Sequence, residues 1–93
     1  MEIQHRQNDK RGMFFARDEK GIFAELTYTK KENNILTIDH TEVRPELEGQ
    51  GIASKLLAHS VEFARENNYK IDPLCPFAEV QFDRNESYQD VKA

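Results

Sequence analysis

Apolar and polar residues alternate over residues 22–29, where Ile22, Ala24, Leu26 and Tyr28 interleave with Phe23, Glu25 and Thr27. A two-residue period predicts a strand with one buried face. The apolar run 13–17 predicts a strand before it. Asp18-Glu19-Lys20-Gly21 between them reads as a turn, with Gly21 able to take positive φ. Polar residues 30–34 end in Asn33-Asn34, a second turn signal, and the β-branched run 35–43 predicts a third strand. Pro45 then stops the ladder, because proline has no N–H to donate. From about Gly51 the period lengthens. Ala53, Leu56, Leu57, Ser60, Val61 and Ala64 fall on one face of a helix that Asn67-Asn68 can end. Residues 69–74 predict a short strand, parallel to 35–43 through a right-handed crossover. Pro73 marks its edge, a bulge or its end. Pro76 suits a first helical position, with Phe77, Val80 and Phe82 candidates to face the sheet. The fold class is therefore α+β: a three-stranded antiparallel meander, a crossover helix, a parallel fourth strand and a C-terminal helix. The polar tail 84–93 carries only Tyr88 and Val91 as packing residues.

A chain of 93 residues suits one domain over residues 1–93 with one modest core, so a ligand is expected in a cleft rather than a private cavity. Phe14, Phe15, Phe23, Phe63 and Phe77 read as core. The formal net charge of −4, with 17 acidic against 13 basic residues, argues against non-specific nucleic-acid binding. The lone cysteine, Cys75, leaves no internal disulfide and no zinc knuckle, so no metal site is expected. Residues 1–12 lack the apolar run of a signal peptide, and no stretch approaches a membrane span. A cytoplasmic setting away from the membrane is the expectation.

Glu48-Gly49-Gln50-Gly51-Ile52-Ala53 lies between a strand and a helix. The first turn of a helix has N–H groups without intrahelical partners, and the helix dipole adds partial positive charge. Anions favour such a place. Gly49 and Gly51 let the backbone turn tightly and approach an anion, while Ala53 and Ser54 keep the first turn open. Lys55 adds a cation if it points back. The Gly-Lys-Ser/Thr of a P-loop is absent, and a preceding antiparallel meander is not the setting of a dinucleotide fold. A glycine turn that merely lets the helix pack is the plain alternative.

The run from His40 to Ala53, followed by Leu56-Leu57, resembles the acetyl-CoA signature of the GCN5-related N-acetyltransferases. The resemblance extends over about residues 15–91 and is similar to the small, truncated branch of that family, implying a minimal acyl-CoA N-acyltransferase-like fold. It implies an acetyl-CoA-dependent N-acetyltransferase with an unknown amine acceptor: a peptide, a lysine or a small amine. Glu42, Val43 and Arg44 would offer backbone groups to the pantetheine arm of coenzyme A, and Gly49, Gln50, Gly51, Ile52, Ala53 and Ser54 would hold the pyrophosphate. Glu48 departs from the family's Gln or Arg at that position; Lys55 or Arg44 are the candidates to replace the missing donor.

The resemblance also implies roles for His40 and Cys75. Parallel pairing brings the ends of their strands to one edge, so the two are expected to approach. Cys75 is a candidate thiolate nucleophile with His40 accepting its proton; alternatively an amine attacks the thioester directly with His40 as base. Imidazole suits either role near neutral pH. A backbone N–H at the strand break is the expected oxyanion donor. Each residue also has a plainer reading, Cys75 as a small buried hydrophobe and His40 as a hydrogen-bonded sheet residue. Tyr88 reads as packing rather than as a general acid. Two further readings of the chain stand beside the enzyme: a non-catalytic module binding coenzyme A or acyl-CoA, and an interaction domain with an empty glycine loop.

Overall fold

The computed structural model describes residues 1–93. The strands are β1 (Gln4–Gln7), β2 (Arg11–Asp18), β3 (Gly21–Lys31), β4 (Ile35–Val43) and β5 (Lys70–Pro73), and the helices are α1 (Ile52–Asn67) and α2 (Pro76–Arg84). They form one sheet in the order β1-β2-β3-β4-β5, antiparallel through β4, with β5 parallel to β4. The fold is the expected α+β arrangement with one addition. The meander has a further strand, β1, because the polar Gln4–Gln7 segment pairs with β2. Its residues show no apolar alternation. Its anchor is the His5 ring, stacked on Phe14 at 4.0 Å. The turn into β2 is built by Asn8, whose side-chain oxygen accepts the N–H groups of Lys10 and Arg11.

The later turns follow the residues that signalled them. Gly21 has φ 120°, and Asn33 and Asn34 are both left-handed. Helix α1 ends at Asn68, also left-handed, whose N–H reaches the Ala64 carbonyl. Leu56, Leu57, Val61 and Ala64 pack on Phe14, Leu26, Tyr28, Leu36 and Ile38. Full burial of each larger aliphatic contributes about 2 kcal/mol. Ile52, rather than Ala53, supplies the first buried position of the helix, and Ala53 is only half-buried.

Helix α2 joins the same core through Ala78 and Phe82. Phe82 is buried as expected and Phe77 packs half-buried against the core, but Val80 is exposed and Ala78 takes the buried position instead. The tail forms a 3-10 turn at Glu86–Val91 that buries Val91 and lays Tyr88 against Phe82. Lys92 then bridges to Ile71, covering the outer edge of β5, and Arg65 forks onto Asp90 to hold the tail down.

Helices cover one face of the sheet. The pairings put Arg6, Met13, Thr27 and His40 on the other face, together with Phe15, which is buried beneath the Arg6 guanidinium.

His5 links β1 to the core. Its Nε2 lies 2.6 Å from the Tyr28 hydroxyl. Burial pushes the Tyr28 phenol up to about 12, so that hydroxyl keeps its proton, and the His5 tautomer sets which of the two groups donates. Desolvation, aided by Lys30, holds the His5 pKa below its ordinary 6.5. A lowered histidine pKa means neutral imidazole is favoured by folding. Its contribution is full above pH 6.5 and fades as pH falls through the lower folded value. The ring is partly exposed, so the effect is modest. Loss of stability on acidification is expected to be smaller in His5→Phe than in the wild type, measured by urea unfolding at several pH values.

Candidate functional site

Gly51 caps α1 in the left-handed conformation at φ 77°, and Gly49 is left-handed at φ 81°. A Cβ on either would meet nothing within 4 Å, so the glycines answer a conformational need and leave the space above them open. The first helical bond is Lys55 N–H to Gly51 O, at 3.1 Å. The backbone N–H groups from Gly49 to Ser54 make no hydrogen bond within the protein, and no side chain caps the helix. They border an open cleft of about 330 Å³ lined by Thr41, Val43, Glu48, Gly49, Gly51, Ile52, Ala53 and Ser54, with Leu47 and Phe77 as apolar walls. Gln50 and Lys55 are exposed beside this cleft and do not line it.

The cleft continues along a sheet edge left open. β5 pairs with β4 only from Ile35 to Ile38, after which the chain turns away through Leu74 into α2. Beyond Ile38, β4 has a partner on one side alone. Arg44 N–H donates to Phe23 O at 2.7 Å, which sets the alternation of the strand. Residues 42 and 44 turn their backbone groups toward β3, and residues 41 and 43 turn theirs toward the open side. Of the expected pantetheine contacts, Val43 therefore faces the crevice, whereas Glu42 and Arg44 do not. Thr41 does, and the sequence reading missed it. Counting back by two from Val43 would have found it.

Arg44 also does not replace the donor missing at Glu48. Its guanidinium forks onto Asp18 at 2.9 and 3.2 Å and lies over the Phe23 ring. That hydrogen-bonded ion pair lowers the Asp18 pKa and raises that of Arg44.

His40 and Cys75 are placed on opposite faces of the sheet. Cys75 is buried on the helix side, its Sγ 3.5 Å from Thr41 Oγ1. The β3–β4 register shifts by one residue at Asp39, so that Thr27 faces His40 while Tyr28 faces Ile38. The bulge moves His40 off the Leu36–Ile38 face that simple alternation assigned to it. Its ring is 52% exposed on the uncovered face, with Nε2 3.6 Å from Glu42 Oε2. Asp39 is fixed nearby, accepting the hydroxyls of Thr27 and Thr29 at 2.7 Å each. The expected His40–Cys75 contact is not made; Thr41 stands where it was expected. The peptide N–H groups at the strand break are engaged as well. Cys75 N–H donates to Ile38 O and Leu74 N–H to Asp72 O, so neither is a free oxyanion donor.

No cluster of metal-ligating side chains is present, and no helix is long and apolar enough to cross a membrane.

A mixed sheet whose parallel strands part beside a glycine-built helix start is the architecture of the N-acetyltransferases. The family model described as GCN5-related N-acetyl-transferase matches residues 13–91. The solution structure of a GCN5-like protein from Staphylococcus aureus, named as an N-acetyltransferase, is 45% identical. It covers 99% of this chain and 87% of its own, with TM-score 0.76. The chain belongs to the GCN5-related N-acetyltransferase family.

More distant structures share the fold. One is named as a streptothricin acetyltransferase from Bacillus anthracis, solved with acetyl coenzyme A, at 20% identity and TM-score 0.61 over 83% of this chain. Another is an aminoglycoside acetyltransferase from an uncultured soil metagenomic sample, solved with sisomicin, at 23% identity and TM-score 0.64 over 83% of this chain. The present chain spans 46% and 57% of those two. No curated protein matches it in sequence.

Proposed function

We propose that the protein takes an acetyl group from acetyl-CoA and transfers it to a primary amine. The observation that carries this reading is the continuity of the site. Unpartnered N–H groups at the start of α1 open onto the free edge of β4, which ends beside Cys75. The pyrophosphate sits on residues 49–54. The pantetheine amides bond to the backbone of Thr41 and Val43, and the thioester lies near the Thr41–Cys75 pair.

The amine approaches from the uncovered face, where His40 stands. Its nitrogen attacks the thioester carbonyl and the carbon–sulfur bond breaks. The sulfur keeps the electron pair and leaves as coenzyme A thiolate. His40 takes the proton the nitrogen sheds, and Glu42 steadies the imidazolium at Nε2, leaving Nδ1 as acceptor. The Cys75 sulfur near Thr41 favours a second route. The Cys75 thiol exchanges with the thioester, its proton going to the departing thiolate. The amine then attacks the acetylated cysteine, the acyl carbon–sulfur bond breaks, and the Cys75 thiolate leaves and takes up the proton the nitrogen sheds.

The test combines calorimetry with acetyl-CoA, transfer to a panel of amines, and mass spectrometry of Cys75. His40→Ala is expected to lower kcat by roughly a hundredfold with acetyl-CoA affinity kept. An acetyl adduct on Cys75, with activity lost in Cys75→Ala, identifies the two-step route. Full activity without an adduct identifies direct attack. Coenzyme A binding with no transfer to any amine leaves the non-catalytic module.

Glu48 lines the cleft as an exposed carboxylate, where it repels a pyrophosphate. Glu48→Arg is expected to tighten acetyl-CoA binding by roughly tenfold, since it exchanges repulsion for a charge-assisted hydrogen bond. Unchanged affinity by calorimetry would place the phosphates elsewhere.

A further inference from the structure

The uncovered face of the sheet holds a second concavity, about 600 Å³, whose lining includes Arg6, Arg11, Met13, Thr27, Thr29 and Asp39. Its layout follows the strand pairing. Arg6 faces Met13, Met13 faces Thr27, and Thr27 faces His40, so Arg6 and His40 end one cross-strand row. Arg11 faces Thr29 on the adjoining row. Strands β1 to β4 are separated by three steps of about 4.8 Å, which puts the two ends of the row roughly 14 Å apart.

The ends differ in charge. At the β4 end, Asp39 and Glu42 flank His40, and the Asp39 carboxylate is pinned by two threonine hydroxyls. At the other end, Arg6 and Arg11 have no carboxylate within ion-pairing distance, whereas Arg44 and Arg65 are each paired with acidic side chains. Arg6 is nonetheless oriented, its guanidinium 5.3 Å from the centre of the Phe15 ring.

We propose that this face is the acceptor-docking surface and that the acceptor is a peptide bearing both a primary amine and an acidic group a few residues away. The amine lies between Asp39, Glu42 and His40, and the acidic group bonds to Arg6 and Arg11. This rests on the transferase reading above and adds the acceptor's class to it. Two guanidiniums take a carboxylate or a phosphate, the phosphate with more hydrogen bonds. An extended peptide rises about 3.3 Å per residue and turns every second side chain to one face, so a lysine with its acidic group four residues away spans the row.

The test uses isotope-labelled full-length protein and three pentapeptides beginning with lysine and ending in glutamate, phosphoserine or glutamine, with C-terminal amides. Amide shifts are followed by NMR without acetyl-CoA, and transfer is then assayed with it. The acidic peptides should shift the amides of Arg6, Arg11, Thr27 and Thr29. They should bind roughly tenfold more tightly than the glutamine peptide. The phosphoserine arm tells a phosphate preference from a carboxylate one. Arg6→Gln with Arg11→Gln should erase that preference in both binding and KM, with kcat and acetyl-CoA affinity unchanged. Arg6→Lys should keep much of it. Equal binding of the three peptides, or shifts confined to the α1 cleft, overturns the proposal. Acid preference without transfer to any peptide would instead overturn the transferase reading and leave this surface standing.

Discussion

Ser54→Glu is expected to abolish tight coenzyme A binding while leaving the fold as stable as before, or slightly more so. Ser54 is exposed, lines the cleft, and stands in the first turn of α1 among the unpartnered N–H groups. A glutamate there is favourable for the helix, because it complements the dipole by about 0.3–1 kcal/mol. It is unfavourable for a pyrophosphate on the same N–H groups. Like charges about 5 Å apart repel by roughly 3 kcal/mol at an effective dielectric constant near 20, or about a hundredfold in affinity. The opposite signs of the two effects exclude misfolding as the cause. Calorimetry with acetyl-CoA and a thermal melt of the free protein measure both. Undiminished affinity would mean that the phosphates do not use the start of α1.

The glycine loop was legible because its signals are local. Gly49 and Gly51 take the left-handed conformations their residue type permits, and the change of period at residue 51 marks the helix start. What the sequence concealed depends on partners distant in the chain. Arg44 reads as free until the fold brings Asp18 to it. β1 has no apolar pattern of its own; it is ordered by its ladder with β2 and by the contacts of His5 with Phe14 and Phe63.

His40 is the sharpest case. Alternation from Leu36 and Ile38 puts it on the core face. One extra residue at Asp39 sends it to the other face, because strand periodicity makes a slip of one a change of side. That slip separates His40 from Cys75 and decides which face the proposed amine must use. No residue type in Ile38-Asp39-His40 announces the bulge. The hydroxyls of Thr27 and Thr29, both on the neighbouring strand, hold Asp39 in place. Helix α2 misled for a different reason. It has nine residues, too few for its period to fix every position of the buried face, and the small Ala78 is buried with Phe82 where Val80 was expected.

Gly12→Ala is expected to lower the melting temperature by about 10 °C or more without touching the coenzyme A cleft. Gly12 has no positive φ to protect; its smallness serves the residue across the ladder. Gly12 pairs with Tyr28, and a Cβ on Gly12 would sit 2.3 Å from the Tyr28 hydroxyl oxygen and 2.4 Å from the ring carbon bearing it. The ring cannot swing aside cheaply. It is 1% exposed, its hydroxyl is bonded to His5, and Phe14 and Phe63 flank it with centroids at 6.0 and 6.2 Å. Forcing a methyl into such packing costs about 1–3 kcal/mol, and losing the bond to His5 adds about 1 kcal/mol. In a domain of this size each kcal/mol is worth roughly 4–8 °C. A smaller side chain opposite should relieve the clash, so Gly12→Ala with Tyr28→Leu should lose less than the sum of the two single changes. Additivity would mean that the alanine methyl and the tyrosine ring do not meet. Because Gly12 lies two strands from β4, acetyl-CoA affinity in Gly12→Ala should equal that of the wild type at temperatures where both are folded.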